Sequence, residues 1–218
     1  MVEADPIMTA GIVAPALTPD DPNFPRQWPL PKIDAPRAWD VALGAGVLVA
    51  IVDTGVDPAH EDIGPLAWSK DLAGGGPYNP HGTHVAGIVA ARINGVGGVG
   101  VAPSASLASC QALDKNGSGF TSNIASCITA AATGGAKVIN LSLGGSSSSA
   151  ALDSAVKGAI DAGVVVVAAA GNSNTSAPSY PGCSPGVIGI GATDENDRRA
   201  SFSNFGACVD IAAPGTNY

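Results

Sequence analysis

The chain has 218 residues, 45% hydrophobic, 13% charged and 5% aromatic, with 29 Gly and 17 Pro. That length and aliphatic content suit one globular domain with a sizeable core and exclude a disordered polypeptide. Its 18 acidic residues outnumber 10 basic ones, giving a net charge of −8 with no basic stretch of groove size, so nucleic acid is excluded as a partner.

Residues 1 to about 25 are rich in Pro, Asp and Ala without periodicity, and read as an extended arm or the remnant of a leader. The folded domain is expected over residues 26–218. The first twenty residues lack the basic and apolar regions of a secretory signal. No apolar run approaches the roughly 18 residues of a membrane helix, so no membrane partner is expected. Residues 47–52 form a continuous apolar run of strand length, the pattern of a strand buried on both faces. A helix is predicted from about Gly82 to Arg92, its small residues permitting close packing on a sheet. Residues 107–113 read as a strand and 121–133 as a helix with Thr and Ser cap candidates. A strand over 138–142, a helix over 150–162 and a valine-rich strand over 164–169 follow. Two further strand-length runs cover 187–192 and 209–212. This alternation predicts an α/β fold: a three-layer, mostly parallel, doubly wound sheet with helices on both faces. Such sheets hold their sites beyond the carboxyl ends of the strands. Asp53, Ser142 and Asn172 all stand at or just past a predicted strand end, which points to one shared cleft.

Asp53 closes an apolar strand, where an unpaired carboxylate is costly. Asp53-Thr54-Gly55 also opens an aspartic-protease site, but that chemistry needs two such carboxylates, and no second copy occurs. His81 and His84 are spaced i, i+3, with only His60 besides them, so the i, i+4 pair around a glutamate used by zinc proteases is absent. Gly95, Gly97 and Gly100 satisfy the dinucleotide pattern G-x-G-x-x-G. That motif requires a strand before it and a helix after it, whereas here a helix precedes and Pro103 follows. No organic cofactor is expected.

Taken in order, Asp53-Thr54-Gly55, His81-Gly82-Thr83-His84, Ser142-Leu143-Gly144 and Gly171-Asn172 resemble the subtilisin-like (subtilase) serine proteases, with thermitase-like and proteinase K-like features. The resemblance covers nearly all of residues 24–215. It implies a secreted, monomeric endopeptidase acting on polypeptides through an Asp-His-Ser triad, with a possible inhibitory propeptide as partner. Asp53 would orient His81, the general base, and Asn172 would donate to the oxyanion. Gly117, Ser118 and Gly119, with Ser142, Leu143 and Gly144, match the two segments that sandwich an extended substrate; their glycines admit a peptide backbone. Small residues at Gly144 and Ala168 to Ala170 leave room for a sizeable P1 side chain. No serine here lies in the Gly-Thr-Ser context of the family nucleophile, so the chain is expected to be an inactive fragment, or else a peptide-binding module.

The same resemblance implies a structural calcium. Its ligands would be Asp21, Asp62, the Asn94 side chain and the carbonyls of Arg92, Val96 and Gly98, an all-oxygen set suited to that ion. Four cysteines without a C-x-x-C allow two disulfides or four buried thiols. The proteinase K-like branch implies a Cys183–Cys208 bridge. Cys110 and Cys127 are placed to pair from a strand to the following helix, and bridges imply an oxidising compartment.

Overall fold

The computed structural model describes residues 17–74 and 79–216. Residues 1–16 of the predicted arm lie outside them. Seven parallel strands form one sheet in the order β2-β3-β1-β4-β5-β6-β7. They are β1 (Leu48–Asp53), β2 (Ser69–Asp71), β3 (Ser106–Gln111), β4 (Val138–Leu141), β5 (Val165–Ala169), β6 (Ile188–Thr193) and β7 (Ile211–Pro214). Short helices α1 (Pro29–Lys32) and α2 (Ala35–Trp39) precede the sheet. The longer helices are α3 (His81–Ala90), α4 (Thr121–Thr133) and α5 (Ala150–Asp161).

The sheet is doubly wound, as the alternation of elements predicts. Its ladders are in register from Leu48↔Ser106 to Asp53↔Gln111 between β1 and β3, and from Val49↔Val138 to Ile51↔Asn140 between β1 and β4. Connections run away from β1 in opposite directions, which makes its carboxyl end the switch point where doubly wound sheets place a ligand crevice.

One core layer packs Ile139, Leu141, Leu152, Val156 and Ile128 between the sheet and α4/α5. The other packs Ile51, Leu107, Val85 and Ala90 between the sheet and α3. Each fully buried Ile or Leu stabilises the fold by roughly 1.5–3 kcal/mol. Strand β1 is buried on both sides, which is why its sequence is continuously apolar. Beyond β4 the face opposite α4 and α5 is open: Val165, Ile188 and Ile211 are exposed there. With Val167, Ile190 and Ala192 this face walls a cleft of about 1080 Å³.

Strand β2 and helices α1 and α2 were not predicted. Strand β2 is three exposed residues, too short for an alternation to register. The two small helices each begin at a Pro in the first turn, a composition that reads as loop. The described part of the predicted arm is docked, not extended. The Asn23 amide donates to the Gly97 carbonyl at 2.8 Å, and the Phe24 ring lies 6.1 Å from that of Trp39. All four cysteines are paired, Cys110 with Cys127 and Cys183 with Cys208.

Candidate active site

Strand β1 delivers Asp53 to the switch point with its side chain fully buried. Its Oδ1 accepts from the Thr54 amide at 2.7 Å and lies 2.7 Å from His81 Nδ1. The His81 ring stands at the first residue of α3 and is about half exposed. Three further contacts fix that first turn. The Asn79 Oδ1 accepts from the His81 amide, the Thr54 hydroxyl donates to the Asn79 carbonyl, and the Thr54 Oγ1 accepts from the Gly82 amide. Gly82 must be glycine, since a Cβ there would sit 2.3 Å from the Gly55 carbonyl oxygen and 3.2 Å from Asp53 Oδ1. A buried carboxylate facing Nδ1 holds the imidazole in its Nδ1–H tautomer, leaving Nε2 free to take a proton. Thr54 and Asn79 were missed in the sequence because their contribution is made through backbone contacts that no motif spacing displays.

The open cleft brings together Pro80 and Thr83 from the start of α3, Ser142 beyond β4, and Ala169 and Asn172 beyond β5. Asn172 is exposed on a turn whose Gly171 has φ +110°. The turn is clamped by Asn204, a third residue the sequence did not single out for a role. Asn204 is buried; its Nδ2 donates to the Ala170 carbonyl at 2.8 Å, its Oδ1 accepts from the Ser173 and Thr175 amides, and its own amide donates to the Gly171 carbonyl. Removing that side chain strands a buried carbonyl and two amides. Asn204→Ala is therefore expected to lower the unfolding free energy by about 2–3 kcal/mol. Urea denaturation checks this, and a loss under about 0.5 kcal/mol shows that the clamp is not needed.

Residues 117–119 are exposed, and Ser142 and Leu143 are partly so. The first segment leaves a turn in which Asp114 Oδ1 accepts from the Asn116 and Ser118 amides, both at 2.9 Å. Those bonds, Ser118 first, hold the Asp114 carboxyl below its ordinary range. The stabilisation is thus present above the usual carboxylate pKa and lost only as pH falls through the depressed value. The second segment is braced by reciprocal bonds between the Gly145 and Tyr180 backbones. A Cβ on Gly144 would strike the Ser179 hydroxyl at 2.5 Å.

Asp21 and Asp62 are buried beside the loop that follows α3. Asp21 Oδ1 accepts from the Asn94 and Gly95 amides, and Asp62 Oδ2 accepts from the Gly98 amide. Asp21 Oδ2 and Asp62 Oδ1 have no hydrogen-bond partner among the described residues. Burial, with the Asp21 charge as a smaller contribution, pushes the Asp62 carboxyl up. The Arg92 amide donates to the Asp62 carbonyl, and the Asn94 Oδ1 accepts from the Val96 amide. Among the described residues no three or more His, Cys, Asp or Glu side chains gather. The hydrogen bonds bring the two carboxylates against the Asn94, Gly95 and Gly98 backbone. Two unpartnered buried carboxylate oxygens in one acidic pair suit a hard cation.

The chain is thus a parallel, doubly wound α/β fold with a carboxylate–imidazole pair at its switch point. The chain belongs to the subtilase family, whose Peptidase_S8 profile matches residues 44–218. It is similar to thermitase from Thermoactinomyces vulgaris, 47% identical over 206 residues, covering 91% of this chain and 74% of thermitase. Subtilisin Savinase from Lederbergia lenta is 45% identical over 195 residues, covering 87% of this chain and 72% of its own. Among solved structures, a protease from Pseudoalteromonas arctica superposes with a TM-score of 0.81 at 35% identity, covering 91% of this chain and 73% of that one.

Proposed function

We propose that this chain is the greater part of a serine endopeptidase domain, spanning residues 26–218, in which His81 is the general base and Asp53 its orienter. The observation that carries the reading is the 2.7 Å contact between a fully buried Asp53 carboxylate and His81 Nδ1, on the rim of the cleft that Asn172 lines. Base catalysis would run through Nε2, which takes the nucleophile's proton and returns it to the leaving amine. The Asn172 amide would donate to the developing oxyanion. The substrate would lie extended between residues 117–119 and 142–144, bonded through backbone, with its P1 side chain toward Ala168, Ala169 and Gly144. Polypeptides are the proposed substrates, an inhibitory propeptide a proposed partner, and an oxidising, extracellular compartment the proposed location. Two disulfides agree with that compartment.

Asp21, Asp62, Asn94 and the carbonyls of Arg92, Val96 and Gly98 would hold a calcium ion. Bound there, the ion would neutralise the acidic pair and stabilise the fold; the peptide chemistry does not pass through it.

Residues 1–218 contain no serine in a Gly-Thr-Ser context, and among the described residues no serine hydroxyl is hydrogen-bonded to His81. These residues by themselves are therefore read as inactive. The same observation supports a second reading, a peptide-binding module that does not cut. A fluorophosphonate probe is expected to leave the purified chain unlabelled, as read by intact mass. Stoichiometric labelling would refute the account of the missing nucleophile. Sequencing the transcript beyond Tyr218 separates the two readings: an in-frame Gly-Thr-Ser-Met-Ala-like segment favours the peptidase, and a stop codon the binding module.

A further inference from the structure

The Cys110–Cys127 disulfide occupies a singular place in the chain. Cys110 is the penultimate residue of β3, Cys127 lies in the second turn of α4, and both are fully buried. The bridge closes a 17-residue separation that contains the whole exposed segment from Lys115 to Phe120. Immediately after Cys110, Gln111 pairs with Asp53 in the sheet. The next two amides, Ala112 and Leu113, both donate to the Asp53 carbonyl, at 2.9 and 3.1 Å. The chain then enters the Asp114 turn, and the Asn79 Nδ2 donates to the Lys115 carbonyl at 3.1 Å. Asn79 is the residue whose Oδ1 accepts from the His81 amide. Gly119 packs back on its own loop, since a Cβ there would lie 2.1 Å from the Ala112 carbonyl oxygen. A Cβ on Gly117 would meet nothing within 4 Å. The loop thus touches Asp53 directly and His81 through one side chain, while its outer edge is closed by bonds within the turn itself: the Asp114 amide to the Ser118 carbonyl, the Gly117 amide to the Asp114 carbonyl, and the Asn116 and Ser118 amides to Asp114 Oδ1.

We infer that the Cys110–Cys127 bridge is a positioning device: by tying β3 to α4 it holds residues 112–118 in the one arrangement that fixes the Asp53 carbonyl, the His81 turn and the exposed 117–119 backbone together. The inference rests on the reading of Asp53, His81 and residues 117–119 given above. It goes beyond a general cross-link, because a bridge that only restricts the unfolded chain would raise the stability of all parts alike. A bridge acting locally changes the opening of one cooperative unit.

The test compares the full chain with a Cys110→Val/Cys127→Ala variant by amide hydrogen exchange and proton NMR. Relative to Val165 and Ala170, whose amides bond to the Lys137 and Ile190 carbonyls away from the bridge, the Ala112, Leu113, Asp114 and Gly117 amides are expected to exchange about tenfold faster or more. The downfield His81 Nδ1–H resonance is expected to shift or broaden, a signature that a loss of global stability does not produce. Cys183→Ser/Cys208→Ser serves as control and should leave both readouts in place. Uniform acceleration, or an unchanged His81 resonance, overturns the inference. If the wild-type chain shows no such resonance, the reading of the Asp53–His81 pair fails, and the exchange pattern alone decides the role of the bridge. Should the Val/Ala variant not fold, native-state exchange of the wild type in low guanidinium decides instead. The amides of residues 112–118 and those around Cys127 are then expected to open as one unit, and independent opening overturns the proposal.

Discussion

In a fusion that continues this chain with a subtilase nucleophile segment, Asp53→Asn is expected to lower kcat by about 10⁴-fold, the magnitude established for serine-protease triads, with KM little changed. The reason is a tautomer. Asp53 Oδ1 takes its two bonds from the Thr54 amide and His81 Nδ1 in a fully buried pocket, so an amide of the same shape fits without repacking. An Asn there carries no negative charge to stabilise the imidazolium that forms as Nε2 takes a proton, and when its nitrogen faces the ring Nδ1 has to accept, which moves the ring proton to Nε2 and removes the base. KM should hold because Asp53 is buried beneath the ring, away from any peptide. The effect exceeds that expected of Asn172→Ala, about 10²–10³ in kcat, a range whose source is the corresponding asparagine of subtilisin itself. Steady-state kinetics on both variants decides the ranking. Equal losses, or a loss carried by KM, would mean that Asp53 supports the substrate site and not the imidazole.

The strands and long helices were legible because their signals are local. The run at residues 47–52 has to be buried on both faces, and the five-strand alternation that follows has one natural closure. Asp53, His81 and Asn172 could be singled out because each stands at an element boundary, inside a motif that resembles the subtilases; the roles given to them are those proposed above. What stayed hidden depends on contacts between distant segments. Asn204 is an ordinary Asn in a Ser-rich loop until the fold brings it 34 residues back to the Ala170 carbonyl. Asn79 links His81 to Lys115 through two faces of one amide, a relation that spacing along the chain does not encode. Strand β2 has no apolar face at all and exists because β3 offers it an edge. Val165, Ile188 and Ile211 read as core by composition, yet they stand on the open face of β5 to β7. That face adjoins Asn172 and walls the cleft.

Asp62→Asn is expected to reverse its effect on stability when calcium is added. Without the ion, Asp21 and Asp62 are two buried carboxylates with one unpartnered oxygen each. Replacing one by an amide removes a like-charge contact while keeping an oxygen for the Gly98 amide, so the calcium-free variant should be as stable as the wild type or more so. The sign of the pH dependence agrees. The folded Asp62 pKa is raised, so its favourable contribution is full below the ordinary carboxylate value of 3.8 and is lost as pH rises through the elevated one. At neutral pH the metal-free Asp62 carboxylate therefore weighs against folding. With calcium at about 100 times its dissociation constant, the wild type should gain roughly 2.7 kcal/mol, or about 5–10 °C in Tm for a chain of this size. The variant, having lost a charged ligand, should gain little. Calorimetry in saturating calcium and in EGTA measures both chains under both conditions, and the two orders of stability should be opposite. A wild type indifferent to calcium, or a variant that responds equally, would show that these oxygens hold no ion and that the loop is built for structure alone. An inversion would instead tie Asp21, a residue of the N-terminal segment, to the α3 loop through a shared cation, and make the docking of that segment a function of calcium concentration.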